Sequence, residues 1–310
     1  MPESGEIAMQ QTGTGNILAP QGVYCLCPEG LGVVVSGTKR ELGTVLLNHL
    51  DAAYNFARWA VGHPAGAEDV IQGTLDDVLT APRPSRGTTA LARILGEVRN
   101  AALRQLRSDS RRQSSGEAPG ESPCYKISQN FSDLIVPVRT AASIGARAAG
   151  IELQQSDIEE LRRAVADLSL EQRELVLLRD TEGLSYREII GLLRVPPDAM
   201  RSRLCRARDA LELRTPAVEG LAAAHDQAPA LIDAYIDAEI DIATAATLVQ
   251  HIAQCRGCAD RLLKRSRLVQ QIRNVTVCCA PPALRRRLEK QLVNINLAGT
   301  GARGIHRSPV

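Results

Sequence analysis

The stretch that decides the fold is LSLEQRELVLLRDTEGLSYREIIGLLRVPPDAMRSRLCRARDAL, which runs from Leu168 to Leu211. In this stretch Gln172 follows Ser169 by three residues, and Glu188 follows Ser185 by three residues. A serine with a glutamate or glutamine three positions later is the spacing of a capping box, in which the two side chains satisfy backbone N–H groups at a helix start. The sequence therefore predicts that one helix begins at Ser169 and another at Ser185.

The helix that begins at Ser185, YREIIGLL, should stop at Val195 because two prolines follow. A new helix should then start at Asp198. Helix, tight turn and helix, with apolar residues on the inner faces, is the pattern of a helix-turn-helix. Upstream, Ser156 with a glutamate three residues later predicts one more helix start.

The second helix of this motif should bury one face and expose the other. The predicted buried residues are Met200, Leu204, Ala207 and Leu211. A recognition helix lies in the major groove, where arginine can pair with guanine and serine can reach a base or a phosphate. The candidate DNA-binding residues of this helix are Arg201, Ser202, Arg203, Cys205 and Arg206. The plainer alternative is a structural helical hairpin with an arginine-rich surface.

The composition favours a mainly α protein made of two or three small domains. The chain has 310 residues, only 3 % of them aromatic, and alanine, leucine, arginine and glutamate dominate from residue 40 onward. A net charge of +2 hides two basic segments, 93–112 with +4 and 194–214 with +3. They suggest two contacts with nucleic acid, although charge alone favours a solvated helix face for each. The start of the chain lacks a secretory signal and a bilayer-length apolar run, so a cytoplasmic protein without membrane contact is expected.

The residues before the decisive stretch predict further helices. Apolar residues recur at helical spacing from Leu46, Pro64 interrupts the pattern, and a second amphipathic run follows, as in a helical hairpin. A third helix is predicted from Leu91 to Arg107. Its polar face carries the further DNA-binding candidates Asn100, Arg104 and Arg107. The stretch from Ser108 to Gly150 is rich in serine, glycine and proline at its start, which is typical of a flexible linker.

A second motif, HIAQCRGC, predicts a metal site near the end of the chain. His251 and Cys255 lie four residues apart on one helical face, and Cys258 follows a turn eased by Gly257. Tetrahedral zinc needs four ligands, and His225 is the natural fourth. Two histidines and two cysteines would hold one zinc ion and leave no open position for water, so an enzyme is not expected. The alternative is a helical bundle with incidental cysteines.

The decisive stretch resembles region 4 of extracytoplasmic-function (ECF) sigma factors almost throughout. AEDVIQ (67–72), with YNFARWAVGHP before it and VRNAALRQLR after it, resembles region 2 of the same family. The resemblance implies that region 2 binds core RNA polymerase through Glu68, Asp69 and Gln72 and reads the minus-ten element through the following helix. Region 4 would read the minus-thirty-five element of promoter DNA.

The segment 225–273, with the later helix PPALRRRLEKQL, resembles the zinc-binding anti-sigma domain, including its upstream histidine. The resemblance implies an intramolecular contact between the sigma part and this fused domain. The block 259–290 has a net charge of +7, so it could dock on the acidic polymerase-binding helix and restrain the sigma part. It could instead add a third DNA contact and activate. The expected boundaries are 1–40 for a segment of unassigned role, 41–110 for region 2, 111–150 for the linker, 151–214 for region 4, 218–296 for the zinc-binding domain and 297–310 for a tail.

The sequence thus predicts a promoter-specificity factor that acts by binding and catalyses nothing. Gly73, Leu75 and Arg93 depart from the residues usual in region 2 of the family. They leave open a DNA-binding regulator that lacks productive polymerase contact. A second alternative is an interaction protein in which the sigma part only docks the anti-sigma part.

Overall fold

The computed structural model of the chain describes residues 39–80, 88–114, 155–214 and 228–301. The described residues form helices joined by short connections and contain no strand, so the predicted mainly α fold is confirmed. The helices in chain order are α1 (Lys39–Asn48), α2 (Leu50–Val61), α3 (Pro64–Thr80), α4 (Ala90–Ser114), α5 (Gln155–Asp167), α6 (Leu170–Val176), α7 (Tyr186–Leu193), α8 (Pro197–Glu212), α9 (Ala228–Ile236), α10 (Ile242–Gln254), α11 (Arg256–Thr276) and α12 (Pro282–Gly301). A π-helical segment, Leu177–Thr181, directly continues α6.

Helices α1 to α4, here called the N-terminal bundle, bury their apolar faces against one another. Phe56, Ile71 and Leu95 are at most 1 % exposed. The first helix of the predicted hairpin is divided at His49 into α1 and α2. Gly62 then ends α2 in the left-handed conformation, with a φ of 84°, which favours glycine because it has no Cβ.

Helix α4 is longer than the sequence predicted. It runs from Ala90 to Ser114 rather than from Leu91 to Arg107. Residues 111–114, expected to belong to a linker, therefore continue the helix. Their polar composition suggested a linker, but arginine and glutamine are also good helix formers. The rest of the predicted linker, 115–154, and the N-terminal segment before residue 39 lie outside the described residues.

Helices α5 to α8, with the π-helical segment, form the middle bundle. The capping boxes at Ser169 and Ser185 are confirmed, since each serine accepts from the backbone N–H three residues on and each partner side chain bonds back. The helix predicted to begin at Ser156 is present, but it already begins at Gln155, so Ser156 lies inside the helix rather than at its cap. The Ser156 hydroxyl instead lies 3.3 Å from a carboxylate oxygen of the neighbouring Asp157.

Helices α9 to α12, here called the C-terminal segment, belong to two cores. Ile232, Leu248 and Cys258 form a small core of their own. Ile272 of α11 and Leu288 of α12 are fully buried in the apolar cluster that also contains the cores of the other two bundles. Since apolar burial is the main favourable term in folding, α11 and α12 are held against the two bundles by a shared hydrophobic core, while α9 and α10 pack around the small one.

The N-terminal and middle bundles also contact each other directly. Arg99 of α4 and Glu174 of α6 form a two-pronged ion pair with N–O distances of 2.9 and 3.1 Å. The buried guanidinium of Arg173 donates to the carbonyl oxygen of Trp59 at 3.1 Å. Thr89, just before α4, donates to Glu188 of α7. These contacts place the helix-turn-helix beside α4.

Candidate functional site

The predicted helix-turn-helix is formed by α7, a short turn and α8. Helix α7 ends at Leu193, two residues before the predicted end, because Arg194 adopts the left-handed conformation with a φ of 55°. Pro196 is the N-cap of α8, and Pro197 occupies its first turn, one residue before the predicted start. Proline is well tolerated there because its missing N–H would have had no partner within the helix.

Helix α8 has the two faces that its sequence predicted. Met200, Leu204, Ala207 and Leu211 are at most 1 % exposed and pack into the core. Arg201, Ser202 and Arg206 are exposed, and Arg201 pairs with Asp198 on the same helix at 2.5 Å. These three side chains lie on the outer face of the second helix, the face that the sequence predicts to contact DNA.

Two other DNA-binding candidates on α8 are engaged within the protein. Cys205 is half-buried, and its thiol lies 3.7 Å from a carboxylate oxygen of Asp209. Burial, together with nearby carboxylates, raises the pKa of Cys205 to about 12. Arg203 pairs with Glu171 of α6 at 2.8 Å, and 35 % of its side chain is exposed. Both side chains therefore have a partner within the chain, and neither is fully buried.

The candidates on α4 lie on its outer face. Asn100, Arg104 and Arg107 are all exposed, and Arg104 forms an ion pair with Asp77 of α3. The side chains therefore share one solvent-facing surface, as the spacing predicted.

The predicted polymerase-binding residues lie on α3, and side chains of α12 bond to two of them. Glu68 accepts from Arg287 of α12 at 2.5 Å. The side-chain amide of Gln72 donates to Gln291 of the same helix at 2.9 Å. Asp69, between them, is exposed. Helix α12 thus contacts, through two polar side-chain pairs, the face of α3 to which the family resemblance assigned a partner.

Close packing brings α12 to this place. A Cβ added to Gly43 of α1 would overlap the Leu292 side chain, so the two helices touch where α1 has no side chain. Arg285 adds polar contacts by donating to the carbonyl oxygen of Leu47 at 3.2 Å and pairing with Asp51 at 3.5 Å.

The structure brings three of the four predicted zinc ligands together. One ligand atom from each of His251, Cys255 and Cys258 lies within 4.8 Å of the others, and the His251 Nε2 to Cys258 Sγ distance is 3.2 Å. Bonds of ~2.0 to 2.3 Å at tetrahedral angles put zinc ligands between ~3 and 4 Å apart, so this cluster fits a zinc ion. A bond from the Cys258 backbone N–H lowers the pKa of the Cys255 thiol, which favours the thiolate that a metal binds. His225 lies outside the described residues.

A buried charge network that the sequence reading missed joins the middle bundle to the C-terminal segment. At its centre Arg208 of α8 is fully buried and donates to Asp180 and to both carboxylate oxygens of Asp237, at 2.7 and 2.9 Å. Asp237 also accepts from Tyr186 at 2.5 Å and from Arg179 at 3.1 Å. Burial alone would raise the pKa of Asp237, but the pairing with Arg208 outweighs it and holds that pKa below its ordinary value.

A second buried arginine, contributed by the C-terminal segment, pairs with carboxylates of the middle bundle. Arg265 of α11 is fully buried and pairs with Asp209 and Glu212 of α8, and with Asp233 of its own segment at 2.9 Å. The middle bundle and the C-terminal segment therefore each contribute one buried arginine that pairs with at least one carboxylate of the other. The sequence held one signal of this network, since Asp233 and Asp237 are four residues apart, the spacing of neighbours on one side of a helix.

The end of α11 lies where both bundles meet the C-terminal segment. Its carbonyl oxygens accept from Trp59 at Thr276 and from Arg162 at Val275, both at 2.9 Å. Beyond it the Cys278 backbone N–H and thiol both lie 3.2 Å from the side-chain oxygen of Asn55. Burial raises the pKa of Cys278 to about 12, so its thiol stays protonated at neutral pH.

Among the described residues, none of the helices combines the length and the apolar character that a membrane crossing requires.

Comparison with known proteins identifies one part of the chain. Residues 158–211 match the family model described as sigma-70, region 4. Over 55 residues the chain is 44 % identical to the probable RNA polymerase sigma-C factor of Mycobacterium bovis and to the ECF RNA polymerase sigma factor SigC of Mycobacterium tuberculosis. The aligned stretch covers 18 % of this chain and only 30 % of each relative.

The chain is also similar to the co-crystal structure of the sigma factor RpoE in complex with the anti-sigma factor NepR from Bartonella quintana. The two chains are 24 % identical with a TM-score of 0.39, and the match covers 56 % of this chain and 96 % of that one. The family match coincides with α5 to α8, which hold the helix-turn-helix. Residues 158–211 thus match sigma-70 region 4 and are similar to the corresponding part of ECF sigma factors.

Proposed function

We propose that the chain is an ECF sigma factor that carries core RNA polymerase to promoters and is restrained by its own C-terminal segment. The sigma function is supported by the match to region 4, which falls on a complete helix-turn-helix whose second helix exposes arginine side chains. The protein acts by binding. Region 4, through Arg201, Ser202 and Arg206, reads the minus-thirty-five element, and the outer face of α4 contacts the minus-ten element.

The restraint is argued from α12. We call the arrangement in the structure, with the C-terminal segment packed on both bundles, the closed arrangement. In it Arg287 bonds to Glu68 and Gln291 bonds to Gln72, two of the residues proposed to bind polymerase. A surface that is already paired must exchange these partners before another protein can use it. The same segment is held to the middle bundle by the buried pairs of Arg208 and Arg265. The C-terminal segment therefore competes with polymerase at an effective concentration set by the covalent connection.

Zinc supports the closed arrangement. One ion bound by His225, His251, Cys255 and Cys258 would fix the end of α10 against the start of α11, and with it the small core of Ile232. A metal held this way contributes directly to the stability of the segment.

Transcription in vitro tests the sigma function. Core polymerase and the purified chain are given the genomic DNA of the encoding organism, and the 5′ ends of the transcripts are mapped. Arg201→Ala or Arg206→Ala should cost about 1 to 3 kcal/mol of promoter binding if either makes a bidentate base contact. Arg163→Ala, an exposed position on α5 paired only with Glu159 among the described residues, is the control. Equal transcription from all variants would contradict the proposed docking.

Two variants test the restraint. Arg287→Glu removes the pair with Glu68 and leaves that residue intact. Because the pair is partly exposed and surface pairs contribute ~0 to 1 kcal/mol, we expect core affinity to rise roughly two- to fivefold. Arg286→Glu makes the same charge change at an exposed position without an ion pair among the described residues. Gly43→Leu should also raise core binding, because its side chain displaces Leu292.

The two readings of the C-terminal segment predict opposite results. Restraint predicts more transcription from Arg287→Glu and Gly43→Leu, and activation predicts less. If neither the parent chain nor any variant binds core polymerase, the result favours a DNA-binding regulator that lacks polymerase contact. Core binding without transcription would favour an interaction protein whose sigma part only docks its own C-terminal segment.

A further inference from the structure

The start of α7 holds a carboxylate from the C-terminal segment. The first N–H groups of a helix have no partner inside the helix, and Ser185 satisfies one of them by accepting from Glu188. The N–H of Tyr186, at the first position of the helix, donates to a carboxylate oxygen of Glu239 at 2.8 Å. Helix N-termini are anion-binding positions, and the first helix of a helix-turn-helix crosses the DNA backbone.

One basic side chain, Arg179, lies beside this carboxylate. A guanidinium nitrogen of Arg179 lies 3.9 Å from Glu239, and another donates to Asp237 at 3.1 Å. Arg187, the second residue of α7, is exposed. A backbone N–H at a helix start together with an arginine is the donor set that proteins use for a DNA phosphate.

The chain turns sharply to bring Glu239 to this position. Ala238 has a φ of 53°, in the left-handed region that alanine rarely adopts. The N–H of Glu239 bonds back to the carbonyl oxygen of Ala234 at 2.9 Å, which closes the end of α9. The turn leaves 27 % of the Glu239 side chain exposed and directs it to α7, beside the buried Asp237.

We infer that Glu239, supported by Asp237, occupies the place of a DNA backbone phosphate on the helix-turn-helix. The C-terminal segment and duplex DNA therefore compete for the start of α7, and the closed chain restrains DNA binding as well as polymerase binding. This inference rests on the proposed function, because it takes the region 4 segment as the part that holds DNA. It adds a second point of restraint that does not involve α12 or the polymerase-binding face.

The test uses the full chain without polymerase and a fluorescent 30-base-pair duplex of random sequence as the probe. A random duplex is sufficient because phosphate contacts are independent of sequence. Glu239→Gln removes the charge and should tighten duplex binding about fivefold to tenfold, since hydrogen bonds to charged groups are markedly stronger than neutral ones. The salt dependence should also steepen, because each further phosphate that the protein neutralises adds about 0.9 to the slope of log K against log salt.

Asp241→Asn is the matched control. It changes the net charge by the same amount, two residues away, but the Asp241 carboxylate caps α10 by accepting from Thr244. Asparagine caps a helix about as well as aspartate, so the segment should keep its fold, which thermal melting of both variants checks. The control should bind duplex less than twofold more tightly than the parent chain.

Two results would overturn the inference. Equal tightening in both variants would mean a general charge effect, and no change in Glu239→Gln would mean that DNA does not use this position. Failure of the proposed function is seen separately, because transcription with core polymerase then stays absent whatever the duplex affinity. Duplex binding abolished by Arg201→Ala and unaffected by Glu239→Gln would keep the DNA role and reject the competition.

Discussion

Replacing Asp237 by asparagine should open the boundary between the middle bundle and the C-terminal segment. Both carboxylate oxygens accept from Arg208, and each accepts one further bond, from Arg179 or from Tyr186. An asparagine keeps one acceptor but presents an NH₂ group to donors, and it removes the negative charge that balances a fully buried guanidinium. Arg208 retains Asp180, so the loss is partial.

The size of the effect follows from these contacts. Removing one partner of a buried ion pair costs ~3 to 5 kcal/mol, and the retained pair with Asp180 reduces this to ~2 to 4 kcal/mol. At about 1.4 kcal/mol per tenfold, the docking equilibrium should shift toward the open form by roughly 30- to 700-fold. The shift is large because the network is shielded from water.

Amide hydrogen exchange, followed by mass spectrometry, measures this opening. Amides of α9 and α11 should lose protection in Asp237→Asn by the factor given above, and those of α2 and α6 should keep theirs. Asp260→Asn is the control, because Asp260 pairs only with Arg256, at 3.9 Å, among the described residues. Protection of α9 within twofold of the parent chain would refute the argument that the buried pairs hold the segment. Equal loss in all helices would indicate global unfolding instead.

Three further predictions concern metal, capping and pH. Cys258→Ser should abolish binding of about one zinc ion per chain, measured by metal analysis, whereas retention of the metal would exclude this ligand. Ser185→Ala should lower the free energy of unfolding by ~1 kcal/mol in chemical denaturation, because the cap of α7 is lost, and an unchanged midpoint would contradict the capping box. Burial raises the pKa of Glu182 above its ordinary 4.5, despite a hydrogen bond from Asn55. The folded state favours the protonated Glu182, so this residue stabilises the fold below pH 4.5, and the stabilisation is lost as the pH rises through the folded pKa. Glu182→Gln should therefore melt at a higher temperature than the parent chain at pH 8, and at about the same temperature near pH 4. An advantage that is the same at both pH values would contradict this reasoning.

The local helix signals alone predicted most of the middle bundle. Capping boxes at Ser169 and Ser185 specify helix starts because side chains three residues apart can satisfy backbone groups without tertiary help. The 3.6-residue period likewise predicted the buried face of α8. Helix ends were less accurate, by one or two residues around Pro196 and by seven at Ser114, since many residues can continue or end a polar last turn.

The predicted metal cluster also follows from local spacing, for the three ligands that the structure describes. His251, Cys255 and Cys258 converge because positions four apart share a helical face and the next turn returns the chain to it. A ligand 26 residues upstream of His251 depends on how two helices pack, and His225 stays a prediction.

Only the tertiary structure showed where the charges go. The sequence gives Arg208 and Arg265 the same character as the exposed arginines beside them, and helical periodicity cannot tell a solvated arginine from one that faces another domain. Both are fully buried because Asp237 and Asp209 reach them across the boundary. Burial of a guanidinium depends on partners that are distant in sequence, since the cost of removing it from water must be offset by a carboxylate at bonding distance. The sequence by itself determined the helices and the local motifs, while the tertiary structure decided which of their polar faces are paired and which stay exposed.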